Sequence, residues 1–291
     1  MKKPGTRFAA IIAGAAALLA TLGACAADET STARAPSVAR TQHVTVSARE
    51  FKLAVRGVRA LRPGFVRVTM RNDGRGEHGI ELIRLRRKLT TPELLTAFEN
   101  EDVRGLEALG GTVSVPPGQR WEMTVRLGAG AYALIDFGEN GGKANFERGM
   151  VQRFRVAGRP QAREAKPRTV GTLAMRDFAF DMRLPQPFNG RGTLAIPNRG
   201  RAFHEVSLVR IQPGHTQSEV LRLIKQGAGS PPPWASIHEL LGVLGPKRTA
   251  YVRVDLAPGR YVALCLIHEP KGRLHADLGM VGTFDVVKAG K

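Results

Sequence analysis

Cysteine is nearly absent from this chain: Cys25 and Cys265 are the only two in 291 residues. That excludes a disulfide-stapled scaffold and any zinc site built from cysteines alone. Aromatic residues are scarce at 6%, and acidic residues number 25 against 44 Lys and Arg, for a formal charge of +19. The seven histidines contain no His-x-His pair, and no nucleophile elbow, phosphate-binding glycine loop or zinc-protease motif occurs. These absences argue against an enzyme. Glycine (33) and proline (18) are plentiful, which suits many short strands joined by turns. With 43% hydrophobic and 24% charged residues the composition is that of a globular protein, long enough for two domains of about 110–130 residues each.

One apolar run stands out, from Phe8 to Leu22, behind the basic residues Lys2, Lys3 and Arg7. It is short for a membrane span and reads as a signal peptide. It ends in Leu22-Gly23-Ala24-Cys25, which resembles the lipobox of bacterial lipoproteins. That resemblance implies that residues 1–24 are removed and that Cys25 is diacylated, anchoring an extracytoplasmic protein to the cell membrane. A plain secretory signal with a chance cysteine is the alternative. Residues 25–43 are small and polar and read as a flexible tether. From Cys25 onward the charge is +16, spread as +6 over residues 44–157, +3 over 158–169 and +5 over 170–287. No stripe of Lys and Arg interleaved with aromatics appears, so no nucleic-acid partner is expected. Weak attraction to anionic lipid head groups is the expected consequence.

The chain repeats itself. AREFKLAV (48–55) aligns with MRDFAFDM (175–182), and Asn72-x5-His78 with Asn198-x5-His204. LGAGAYALID (127–136) aligns with LAPGRYVALC (256–265), and GMVQRFRV (149–156) with GMVGTFDV (279–286). The order is kept and the offset stays near 126–130 residues. A basic stretch with two prolines, 158–169, separates the copies as a linker. The two domains are therefore expected at 44–157 and 170–288, each folding as its own sandwich.

Within each copy, short alternating or apolar segments are punctuated by Gly and Pro, the pattern of strands. One helix interrupts each copy. In 216–227 Thr216 and Glu219 form a capping box, and 90–102 carries Pro92 near its start. The stretch SPPPWASIHELLG (230–242) reads as an insertion capping one end of the sandwich, or as a lid over a site. The fold expected is all-β: two tandem Greek-key β-sandwiches, each with a short inserted helix.

The second copy resembles the cupredoxins, on Asn198-x5-His204, on Tyr261-Val-Ala-Leu-Cys265 and on the loop LIHEPKGRLHADLGM ending at Met280. The resemblance implies a type-1-like copper site made by His204, Cys265, a loop histidine and an axial Met280. Such a His₂Cys plane with a weak thioether suits both oxidation states of copper. His275 is favoured as the loop ligand because Met280 follows it closely; His268 is the alternative. The first copy has Asp136 at the cysteine position and Asn145 near the loop-histidine position, leaving only His78 and Met150. It is expected to be degenerate and free of copper. Its loop acids Asp136, Glu139 and Glu147 read as solvated charge, with a hard-cation site as the lesser possibility.

Two functions fit. The first is a membrane-anchored copper-binding, electron-transfer lipoprotein with a redox partner in the envelope. The second is a metal-free tandem module that binds an envelope protein or a small ligand. Family enzymes such as nitrite reductases need a second copper centre rich in histidine, and the residues for one are missing here.

Overall fold

The structure, a computed structural model, describes residues 41–288 apart from 101, 103, 162, 163, 228, 229, 270 and 271. Cys25 and the signal sequence lie outside the described residues. No helix among the described residues is long and apolar enough to cross a membrane.

The first copy contains β1 (Gln42–Arg49), β2 (Lys52–Arg56), β3 (Gly64–Asn72), β4 (His78–Leu85), α1 (Thr91–Glu99), β5 (Leu106–Val115), β6 (Arg120–Leu127) and β7 (Gly130–Ile135). Two short strands, β8 (Glu139–Asn140) and β9 (Lys143–Ala144), lead to β10 (Val151–Val156). The second copy repeats the plan with β11 (Gly171–Arg176), β12 (Ala179–Arg183), β13 (Arg191–Pro197), β14 (His204–Ile211), α2 (Gln217–Gln226), β15 (Ala235–Leu244), β16 (Thr249–Asp255), β17 (Gly259–Leu264) and β18 (Val281–Val286). Both helices start on capping boxes, Thr90 with Glu93 and Thr216 with Glu219. Each box satisfies backbone donors that a helix start leaves open. The fold is the all-β pair of cupredoxin-like Greek-key sandwiches expected from the sequence.

The two sandwiches are joined edge to edge. One sheet runs β12-β11-β13-β16-β6-β3-β1-β2 and the other β10-β7-β4-β5-β15-β14-β17-β18. Each order is palindromic in equivalent strands, as a two-fold relation between copies requires. The junctions are antiparallel, β16 on β6 through Tyr251 opposite Thr124, and β15 on β5 through Leu244 opposite Leu109. One apolar core passes through both copies, from Val46 and Met70 past Met123 and Val252 to Tyr261 and Met280. Trp121 Nε1 donates to Leu240 O across the junction at 3.1 Å. Edge strands that would otherwise present open N–H and C=O groups are thereby paired.

Residues 235–244 correct one expectation. They are no cap or lid but the strand β15, paired with β14 along its length and meeting β5 of the other copy. The three prolines before it end at the turn, and the apolar run from Leu240 to Leu244 is buried. His238 is on this strand, exposed, with its ring 5.9 Å from that of Tyr261. The tether also ends slightly earlier than expected, because His43 is already in β1 and bonds Thr69 Oγ1 at 2.8 Å.

The helices cover only one sheet. α1 packs on Ile83, Leu106 and Ala133, and α2 on Val209, Ile211 and Val262. The outer face of the other sheet carries no helix among the described residues. The linker crosses it, held where Arg126 grips Glu164 at 2.9 and 3.2 Å.

Candidate metal centre

Asn198 explains the spacing to His204. Its side-chain amide donates to Ala202 O at 2.9 Å and Leu244 O at 2.8 Å, while its Oδ1 accepts from Gly200 N–H at 2.9 Å. The loop 198–203 is wound around this one buried side chain and delivers His204 as the first residue of β14. Asn72 does the same in the first copy, donating to Gly76 O and Val115 O at 2.7 Å each and accepting from Gly74 N–H at 2.8 Å.

Cys265 follows β17, which pairs with β14, so the thiol lies beside the start of that strand. Glu205 N–H points at Cys265 Sγ at 3.5 Å. The chain then turns outward and back. His275 N–H donates to Ile267 O at 2.9 Å, Ala276 N–H to Cys265 O at 3.0 Å, and Met280 N–H to His275 O at 2.9 Å. His275 opens a single 3-10 turn closed by Gly279 at φ 106°, a left-handed conformation that glycine adopts without strain. Cys265 N–H donates to Met280 O at 3.3 Å, which ties the end of the loop to its start.

These constraints bring His204, Cys265 and His275 together, one donor atom from each lying within 4.8 Å of the others. His204 Nδ1 and His275 Nδ1 are 3.2 Å apart, and Cys265 Sγ is 3.5 Å from His275 Nδ1. All three residues and Met280 are buried. His268 is elsewhere: it bridges to Leu274 on the outward hairpin and is exposed.

The electrostatics favour neutral imidazoles. Burial, with His204 alongside, lowers the His275 pKa to about 4, against the pull of Glu269 and Asp177. Burial lowers that of His204 too, partly offset by Asp177. Asp177 Oδ1 lies 3.2 Å from His204 Nε2. Burial disfavours its charge, but the N–H groups of Arg201 and Ala202 and the nearby His204 outweigh that and keep its pKa low. The Asp177 carboxylate accepts a hydrogen bond from His204 Nε2–H, which leaves the Nδ1 lone pair facing His275 Nδ1 beside Cys265.

Sequence reasoning missed Asp177 and its neighbour Phe178. They form the turn between β11 and β12, with Phe178 at φ 63° and its ring edge-on to His275, centroids 5.0 Å apart. The signal was present: Glu50-Phe51 occupies the same place in the aligned AREFKLAV segment.

The first copy keeps the braces and changes the donors. His78 Nδ1 is 2.8 Å from Asp136 Oδ2, and Asn145 Nδ2 donates to the same oxygen at 3.0 Å. Asp136 Oδ1 accepts from Gly138 N–H at 2.8 Å. All three side chains are fully buried and mutually bonded, with no thiolate among them. Asp136 is thus committed inward, and Glu139 and Glu147 are exposed, so those three do not converge.

No family model matches the sequence, and no curated protein matches it. Among solved structures the chain is similar to a dithionite-reduced auracyanin from Roseiflexus castenholzii, at 19% identity over 42% of this chain and 99% of that one, TM-score 0.26. It is also similar to the copper-containing nitrite reductase of Thermus scotoductus, at 16% identity over 86% of this chain and 62% of that one, TM-score 0.25. A multicopper oxidase matches at 13% identity over 85% of this chain and 89% of that one, TM-score 0.24. By its own strand order and its Asn-braced histidines, the chain is a tandem of two cupredoxin-like sandwiches.

Proposed function

We propose that the second copy binds one copper through His204, Cys265 and His275, with Met280 as the axial group, and that the protein is an electron-transfer lipoprotein held at the outer side of a cell membrane by Cys25. One observation carries this reading: two imidazole nitrogens and a thiol converge in a buried place. With His204 Nε2–H on Asp177, two Nδ1 atoms 3.2 Å apart in company with a sulfur form a ready cation cage.

The donor set fits copper. A soft thiolate, two borderline imidazoles and a nearby thioether serve Cu(I) and Cu(II), whereas magnesium and calcium favour oxygen ligands. Copper bound there would supply one-electron redox chemistry. The protein's part is to hold its donors still: Asn198 fixes the loop before His204, the bonds of Met280 close the loop around His275, and Asp177 sets the His204 tautomer. Phe178 packs edge-on against the His275 ring. Held donors change little on gain or loss of an electron, which is what a carrier needs. The sequence has no His-x-His pair of the kind a second copper centre uses, and a carrier is the reading proposed.

Copper analysis of purified protein tests the metal, with one equivalent expected. His275→Ala abolishes it and His268→Ala does not; the reverse result would exchange the loop ligand. Acyl labelling tests the anchor, and Cys25→Ser should release the protein. Wild type found acyl-free in the medium would contradict it. If copper fails to bind, the metal-free module binding an envelope protein takes its place, favoured by a first copy that builds the same braces around Asp136.

A further inference from the structure

The charge that is spread evenly along the chain is gathered by the fold. In the sheet β12-β11-β13-β16-β6-β3-β1-β2, alternate residues face the common core and the rest face outward. Each of its eight strands puts at least one Arg or Lys on the outward side, Arg49, Arg67, Arg120 and Arg253 among them. The acidic residues these strands place on that side are Glu122, Asp181 and Asp255. No helix among the described residues covers the face, and the linker crossing it adds Lys166 and Arg168 together with Glu164, which pairs with Arg126. Near its centre, where β16 meets β6, Arg67, Arg168 and Arg253 line a hollow with one carboxylate, Glu122.

The chain enters the fold on this same face. Thr41 lines the hollow, and β1 begins at the next residue. Cys25 is sixteen residues upstream of Thr41, a segment that spans at most roughly 55 Å when fully extended. An anchor at Cys25 would therefore keep the fold close to the bilayer, with the entry point on this basic face.

We infer that this open sheet face docks on an anionic lipid bilayer, its guanidinium groups meeting phosphate head groups. Charge complementarity and the entry of the chain both point to a membrane. The inference needs neither copper nor acylation, so it is tested on a chain starting at Ala26, which keeps every described residue and lacks Cys25. That protein should sediment with vesicles of equal parts phosphatidylglycerol and phosphatidylcholine at low salt, and not with phosphatidylcholine alone. The triple variant Arg49→Ser/Arg120→Ser/Arg253→Ser should weaken binding by about tenfold to a hundredfold, from three lost attractions at the surface. The charge-matched variant Arg222→Ser/Lys225→Ser/Arg260→Ser, on the helix-covered side, should change it by less than about threefold. Equal losses in the two variants would mean net charge alone acts and would overturn the docking face. So would indifference to lipid charge, or retention on duplex DNA with no lipid preference, which would assign the face to nucleic acid.

Discussion

Asp177 Oδ1 lies 3.2 Å from His204 Nε2, and in the first copy Glu50 Oε1 lies 3.6 Å from His78 Nε2. A carboxylate stands behind the histidine in both copies, but only Asp177 is within hydrogen-bond distance, His78 Nε2 having no hydrogen-bond partner among the described residues. Only the second copy has a thiol in front of the ring. The histidine's partner on the other ring nitrogen differs: Asp136 in one copy, His275 in the other, with Cys265 Sγ beside the His275 ring. The placement of the carboxylate is common to both copies, and the hydrogen bond to the ring is made in the second.

Asp177→Ala should therefore leave copper bound but loosely. Loss of an outer partner costs about tenfold to a hundredfold in metal affinity. Competition with a Cu(I) chelator reads this directly. Glu50→Ala, its counterpart, should leave copper affinity unchanged.

Gly200 is needed by the same contact. A Cβ there would collide with Asp177 Oδ1 and meet His204 Nε2 at 2.8 Å. Gly200→Ala should push the carboxylate off the ring and shift the copper spectrum. Gly74→Ala would crowd Glu50 and His78 in the first copy. It should lower stability without touching the spectrum.

Much of this was legible in the sequence because the repeat supplied its own alignment. Asn72 and Asn198, Asp136 and Cys265, Asn145 and His275 stand at matching places, so setting one copy against the other exposes the changed donors. The inserted helices were legible from Thr216 and Glu219. The junction was not. β15 begins with Ala235, Ser236, Ile237 and His238, a mixed segment behind three prolines, and looks like a loop until pairing with β14 and β5 makes it a central strand. Pairing between copies depends on which edges meet, and no local pattern in either copy records that. Asp177 was missed for a related reason: a carboxylate in a turn reads as solvated charge until the fold sets a buried imidazole against it.

The junction has a pH signature. Glu81 is buried, accepts from Val243 N–H of the other copy at 3.0 Å through Oε1, and has no hydrogen-bond partner for Oε2. Burial, with Glu205 and Glu239 nearby, raises its pKa well above 4.5. Folded protein then holds a proton that the unfolded chain releases above that value. Stability is full below pH 4.5 and declines as pH rises toward the folded value. Glu81→Gln, which cannot ionise, should flatten that decline in a urea series at several pH values. An unchanged slope would mean Glu81 is ionised in the folded state.

The continuous core predicts one unfolding transition for both copies. Trp121→Phe removes the buried bond to Leu240 O and should cost about 1–3 kcal/mol, the scale of a buried hydrogen bond losing its donor. Calorimetry should show a single lowered peak. Two separated peaks would mean the copies fold independently despite the shared sheets.

The central claim is a copper–thiolate bond at Cys265, and the visible absorption spectrum of the purified protein after addition of one equivalent of Cu(II) tests it most directly. An intense charge-transfer band should appear, should vanish in Cys265→Ser, and should persist in Asp136→Ala. Colourless protein whose Cys265 still titrates as a thiol would contradict the account.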